Sequence, residues 1–344
     1  MLDKNLLTTD IGIDLGTSSV LVYVKGKGIV LCEPCVVAMD TRTGDIVKIG
    51  RAAQQMLGRA PENIEIIRPL KDGVISQYSV TLKMIRYFIE KACGRTLIRP
   101  RVMICVPSGI DEKDEMAVIN ATQQAGARQT LLIEEPVAAA LGAGIDINAP
   151  EGRMIVDIGG GTTDVAVISY GGVVVSRSIR VAGNALDNAI MTYIKKKHRM
   201  LVGESSAEMI KIKASNVSSS GTKAPTVIKV KGKTLGQGLP KVVEFSSAES
   251  LEAMLEPLTA ILDTICLIIQ QTPPELLSDI CKNGIVLTGG GAKLRGLDKL
   301  IETTTNIRTY VAKDPISCVV MGTGKSIEEL DGGLLDFLGS FGNS

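Results

Sequence analysis

Tryptophan is missing from this 344-residue chain, and aromatic residues make up only 3% of it. With 45% of residues hydrophobic, packing falls to aliphatic side chains. Surplus charge is missing too: 38 lysines and arginines stand against 37 acids, a net charge of +1. That leaves no nucleic-acid footprint, and a run such as KKKHR at 195–199 reads as a solvated helix face. No apolar run reaches the ~18 residues a membrane span needs. The N-terminal MLDKNLLTTD lacks the basic segment and long apolar core of a secretory signal. The expectation is a chain that is soluble or at most rests on a membrane surface.

Cysteine is present, but not as a framework. Seven cysteines, at 32, 35, 93, 105, 266, 281 and 318, are odd in number and scattered, which fits a reduced cytoplasmic compartment. CEPC at 32–35 has a C-x-x-C spacing, yet no second pair follows and the single histidine lies at 198. Cys32 and Cys35 therefore read as small residues packed beside a strand end. A chain of this length also exceeds the size at which one core stops growing, so two lobes are expected.

Two stretches share a pattern: IGIDLGTSSVLVYV at 11–24 and MIVDIGGGTTDVAVIS at 154–169. Each reads strand, Asp, glycine-containing turn, hydroxyl residue, strand. After the first, apolar alternation and turn residues predict three strands over 11–39 and a strand and short helix over 46–64. A helix follows over 79–93, with Ser79 as a candidate cap and Leu82, Ile85 and Ile89 as its apolar stripe. A strand over 101–107, a helix over 110–126 ended by Gly126, a strand over 130–134 and an Ala-rich helix over 135–144 complete the half. The order begins again at 153. The second half adds helices near 184–199 and 205–214, a polar loop, a hairpin around 226–245, a long helix near 248–271, and GIVLTGGGAKLRG at 284–296. The chain is a duplicated α/β architecture with a nucleotide-sized cleft expected between its halves.

A tight turn between two strands presents backbone N–H groups in a concave arc that binds anions, and glycine lets a phosphate approach with no Cβ in the way. Two such turns facing each other suit the β- and γ-phosphates of a nucleotide. Asp14 and Asp157 are then placed to hold Mg2+ through its waters, because that ion dehydrates reluctantly. Thr17, Thr162 and Thr163 add hydroxyls. The third turn, LTGGGAKLRG at 287–296, suits a base and ribose packed on bare backbone. GTGKS at 322–326 ends like a P-loop, but the position of that motif's first glycine is Val319, so the P-loop reading is rejected.

DLGT, VDIGGGTTD, EEPVAAALGAG and TGGGAKLRGLD resemble the phosphate, connecting and adenosine motifs of the actin, DnaK-type chaperone and sugar kinase superfamily. VKGKGIVLCEPCVVA, MLGRAP, IRPLKDGVI, VGESSAEMIKIK, TPPELLSDI and DPISCVVMGTGKSIEEL narrow the resemblance to the bacterial actin MreB family, from about residue 10 to 330. The resemblance implies a duplicated actin-like, ribonuclease H-like α/β ATPase fold. Its large subdomains would be 1–33, 68–148 and 318–344 in the first lobe and 149–183 and 249–317 in the second. The small ones would be 34–67 and 184–248.

Carried over by position, the resemblance implies Asp14, Gly16, Thr17, Ser18 and Ser19 as the first phosphate loop. It implies Asp157, Gly159, Gly160, Gly161, Thr162 and Thr163 as the second, and Gly289, Gly290 and Gly291 as the adenosine loop. Glu208 and Lys211 would border base and ribose. Glu135, rather than Glu134, would orient the attacking water with Thr162 nearby, as phosphoryl transfer to water needs positioning and a modest base. A carboxylate there also suits a helix N-terminus. The chain departs from the family at SSV after DLGT and at Asn184, where an acid is usual; Asp187 remains.

The implied function is an ATP-hydrolysing cytoskeletal protein with ATP or ADP and Mg2+ as cofactors. It would assemble with itself into paired, antiparallel filaments on the inner face of the cytoplasmic membrane and act with cell-shape or wall-synthesis membrane proteins. Leu97 and Ile98, between Arg95 and Arg99, are membrane candidates and read equally as strand-edge packing. The C-terminal face of Leu334, Leu335, Leu338 and Phe341 reads as a docked tail or a lipid contact. The alternative is a monomeric ATP-dependent chaperone or small-molecule kinase of the same superfamily. A chaperone of that kind would be expected to carry a β-rich peptide-binding region after the ATPase lobes, and a sugar kinase a polar pocket with a base in its first lobe, for which no motif is read.

Overall fold

The structure, a computed structural model, describes residues 9–71, 73–94, 98–217 and 225–330. In the first half, β1 (Ile11–Leu15), β2 (Ser19–Val24) and β3 (Gly28–Pro34) form an antiparallel meander. β4 (Val37–Asp40), β5 (Ile46–Ile49), the one-turn helix α1 (Arg51–Gln54) and β6 (Ile64–Ile67) make a small layer with its own three-stranded sheet. The short pair β7 (Leu70–Lys71) and β8 (Val74–Ile75) leads to α2 (Tyr78–Cys93), β9 (Arg101–Val106), α3 (Glu112–Ala125), β10 (Gln129–Glu134) and α4 (Glu135–Gly142).

The second half repeats the plan. β11 (Arg153–Ile158), β12 (Thr163–Ser169) and β13 (Gly172–Ile179) form the meander. The insertion carries α5 (Gly183–Lys197), β14 (Met200–Leu201), α6 (Glu204–Ala214), β15 (Val227–Thr234) and β16 (Pro240–Ser246). Then follow α7 (Ser247–Gln271), α8 (Pro274–Asn283), β17 (Ile285–Thr288), a 3-10 turn (Gly291–Lys293), α9 (Leu297–Thr305), β18 (Thr309–Val311) and α10 (Cys318–Glu329). The two large sheets run β3-β2-β1-β9-β10 and β13-β12-β11-β17-β18. In each, the first strand of the meander pairs in parallel with the strand that follows the insertion. The duplication inferred from the motif spacing is thus a duplication of topology.

Local chemistry sets the ends of several elements. Asp111 caps α3 by accepting the Asp114 N–H at 2.8 Å, and Gly126 follows it at φ 122°. Ser246 and Glu249 form a reciprocal capping box at α7, the S-x-x-E spacing that favours a helix start. The Ser79 cap is corrected: α2 begins at Tyr78 after Gln77 with no side-chain cap, so Ser79 lies inside the helix. Its buried stripe runs Val80, Met84, Ile85, Phe88 and Ile89, with Leu82 at the margin.

Each lobe has a core on its outer side, one around Ile13, Val22, Phe88 and Ile104, the other around Val156, Ile190, Phe245 and Leu287. A third core lies between the sheets, where α4 and α10 bury Ala138, Ala139, Val319 and Ile327 against Ile133 and Ile155. The helices cross with backbones touching: a Cβ on Gly322 would lie 1.8 Å from the Ala138 carbonyl oxygen, and one on Gly142 1.7 Å from that of Cys318. This accounts for GTGKS. It is mid-helix, and Lys325 Nζ donates to the Leu141 carbonyl at 2.6 Å.

Candidate nucleotide cleft

β1 and β2 pair Leu15 with Val20, so the first turn is residues 16–19; β11 and β12 pair Ile158 with Thr163, so the second is 159–162. The Gly159 N–H closes the second turn on the Thr162 carbonyl at 2.9 Å. The two turns meet face to face. A Cβ on Gly160 would lie 1.9 Å from Ser18 Oγ, and one on Gly161 2.5 Å from Thr17 Oγ1. Here glycine is demanded by close approach more than by backbone freedom. Around this seam, Thr17 Oγ1 accepts the Gly73 N–H at 3.2 Å, Ser18 Oγ donates to Asn184 Oδ1 at 3.3 Å, and the Asn184 N–H donates to the Gly160 carbonyl at 2.8 Å. The second turn is thereby docked on the start of α5.

One cleft of about 710 Å3, within the usual size of small-molecule sites, opens along this seam. Asp14, Gly16, Thr17, Ser18, Ser19, Glu135, Asp157, Gly159, Gly160, Gly161 and Thr162 line it, as do Glu208, Lys211, Gly289, Gly290 and Gly291. The expectation for Thr163 is corrected. It is fully buried and donates its hydroxyl to the Val181 carbonyl at 2.7 Å, because strand alternation turns it away from Thr162. Glu134 also points elsewhere, accepting Ser108 Oγ at 2.6 Å, while Glu135 faces the cleft. Lys211 Nζ is held by Asp187 Oδ2 at 2.8 Å and the Gly183 carbonyl at 3.0 Å. Ile98 is half-buried; Leu97, the first eight residues and the tail from 331 lie outside the described residues.

The electrostatics of the floor are those of crowded carboxyls. Burial and then the Asp157 charge push Asp14 up to about 7, with the Cys105 thiol, 3.6 Å away, opposing the shift. Burial pushes Asp157 up to about 6, and Thr288 Oγ1, donating at 2.6 Å, holds it down. Burial, then Asp157, pushes Asp164 up to about 7, and burial with Asp164, Asp157 and Asp14 drives Glu135 well above the carboxylate range. Among the described residues none of these four carboxyls is ion-paired with a lysine or arginine. A divalent cation would relieve them, so the donor set fits Mg2+. Among the described residues no three His, Cys, Asp or Glu side chains converge to ligate a metal directly.

Sequence reasoning passed over several cleft residues. Thr288 lies at the end of β17, directly beside Asp157 in the parallel pairing, and its hydroxyl before GGG was the available signal. Arg68, Glu204, Ile212 and Ile316 also line the cleft, and no local pattern marks them.

Two lobes of identical strand order, with twin Asp-Gly turns closing on each other, define an actin-like fold. The chain belongs to the MreB/Mbl family, whose model matches residues 8–333. It is 46% identical over 338 residues to the cell shape-determining protein MreB of Escherichia coli (strain K12), covering 95% of this chain and 96% of that one. It is 44% identical over 327 residues to the cell shape-determining protein Mbl of Bacillus subtilis (strain 168), covering 95% and 98%. Among solved structures, MreB5 of Spiroplasma citri bound to ADP superimposes with a TM-score of 0.89 at 36% identity, over 95% of this chain and 99% of that one.

Proposed function

We propose that this chain is an actin-like cytoskeletal ATPase that determines cell shape. The observation that carries the reading is the abutment of the two turns: Thr17 and Ser18 against Gly161 and Gly160 form a clamp across the seam between lobes, suited to a polyphosphate. Family membership points the same way, since the relatives are cell shape-determining proteins and MreB5 has been captured with ADP and with AMPPNP. A monomeric chaperone or kinase has no such support.

ATP or ADP would lie with its phosphates between the turns and its adenosine between Glu208, Lys211 and Gly289 to Gly291. Mg2+, when bound, would supply positive charge beside the phosphates, with Asp14 and Asp157 holding its waters. Glu135 and Thr162 would orient the attacking water, with Glu135 placed in the cleft beside the second turn. The lobes divide as the family does: 1–33, 68–148 and 318–344 with 34–67, and 149–183 and 249–317 with 184–248. The subunits would stack into paired, antiparallel filaments on the inner face of the cell membrane, with Leu97 and Ile98 as lipid contacts and wall-synthesis or cell-shape membrane proteins as partners.

Phosphate release by wild type and Glu135→Ala, with ATP affinity measured in parallel, tests the chemistry. Unchanged affinity (within about threefold) with release slowed on the order of 100-fold is expected. Wild-type turnover in Glu135→Ala removes Glu135 from the mechanism.

A further inference from the structure

The deep contacts between the lobes are those of the turns with their flanks and of the core between the sheets. One further contact stands apart. Arg68 leaves the end of β6 in the first lobe and its guanidinium meets the Glu204 carboxylate at 2.9 Å. Glu204 is the first residue of α6, in the insertion of the second lobe. Both side chains line the cleft and both remain partly open to solvent, so the pair closes over its mouth. We propose that Arg68 and Glu204 form an electrostatic latch between the lobes that sets the rate at which a nucleotide leaves the cleft. This rests on the nucleotide-cleft reading above.

The surroundings of each partner suit a latch. On the first lobe the chain is stiff just after Arg68: Pro69 follows, and its carbonyl accepts the Ser76 N–H at 3.0 Å, Ser76 Oγ at 2.9 Å and Thr81 Oγ1 at 3.3 Å. On the second lobe α6 carries Glu204 at its start and Glu208, Lys211 and Ile212 farther along, all lining the cleft. Lys211 is tied to Asp187 and Gly183, next to Asn184, whose N–H holds the second turn. One helix thus bears the latch and the residues placed to border adenosine. Opening the pair frees the helix to swing away from the first lobe; forming it holds that helix over the ligand. Solvent access makes the latch weak and salt-sensitive, as a release gate must be if the cleft is to turn over.

The test is the release rate of mant-ADP, displaced by excess unlabelled ATP with Mg2+ at low ionic strength. The proteins are wild type, R68E, E204R and the double swap R68E/E204R. Each single variant sets like charges together and is expected to release on the order of fivefold faster. The swap should return the rate to within about twofold of wild type, and in about 0.5 M salt wild type should approach the single variants. Single variants that release at the wild-type rate overturn the latch, as does a swap as fast as either single change. If wild type shows no saturable mant-ADP binding, the nucleotide reading fails and the latch with it.

Discussion

The two Asp-Gly turns occupy equivalent places in equivalent sheets, yet they divide the work. The first, Gly16 to Ser19, brings hydroxyl side chains; the second, Gly159 to Thr162, brings bare backbone. The reason is mutual. Thr17 and Ser18 fill the space that Gly161 and Gly160 leave empty, so glycine triplets on both sides would leave a void and hydroxyl triplets on both would collide. The anchoring aspartates differ in the same way. Asp157 has a hydroxyl donor at 2.6 Å in Thr288, whereas among the described residues Asp14 has the weaker Cys105 thiol at 3.6 Å, and Asp14 is pushed higher, to about 7 against about 6. A duplicated device becomes asymmetric once its copies touch.

The largest effect should come from reversing that division. Gly160→Ala puts a methyl against Ser18, and overpacking of roughly 2–3 kcal/mol should weaken ATP binding about 100-fold by isothermal titration. The double variant S18G/G160A moves the side chain to the other turn and should recover most of the loss. If Gly160→Ala binds normally, the turns do not close on each other in solution.

A pH effect comes next. Asp14, Asp157 and Asp164 have folded-state pKa values raised to about 7, 6 and 7 from an unfolded value near ~3.9. The folded chain therefore binds more protons. The stability this contributes is fully present below pH ~4 and is lost as pH rises through 6–7. The nucleotide-free protein should melt several degrees lower at pH 8 than at pH 5.5, and Mg-ATP should flatten the difference. An unchanged melting temperature would mean the carboxyls are hydrated, not crowded. Smallest is Thr288→Val, which leaves Asp157 without its donor. It should cost about 1 kcal/mol in denaturant unfolding and move Asp157 towards Asp14 in carboxyl titration; no change in either would show that the bond is not formed.

Much of this asymmetry is legible in the amino-acid sequence. Asp14 and Asp157 before glycine turns mark both anchors, and the repeated element order marks the duplicated sheet. GTGKS can be dismissed on spacing. What stays hidden is long-range. That Ser18 fits over Gly160, that Arg68 meets Glu204 and that Thr288 lies beside Asp157 depend on pairings more than 100 residues apart. Thr163 misleads because a hydroxyl inside a motif looks functional until the strand's alternation is placed. The Ser246 and Glu249 capping box is passed over in the sequence reading, although the long helix it starts begins within one residue of its expected place.

Negative-stain electron microscopy of the purified protein with Mg-ATP, beside a nucleotide-free control, tests the central claim most directly. Paired straight filaments with ATP, and none without it, are the expected result. Dispersed single particles across salt and protein concentration would contradict it, leaving a monomeric ATPase whose substrate should be sought in the cleft.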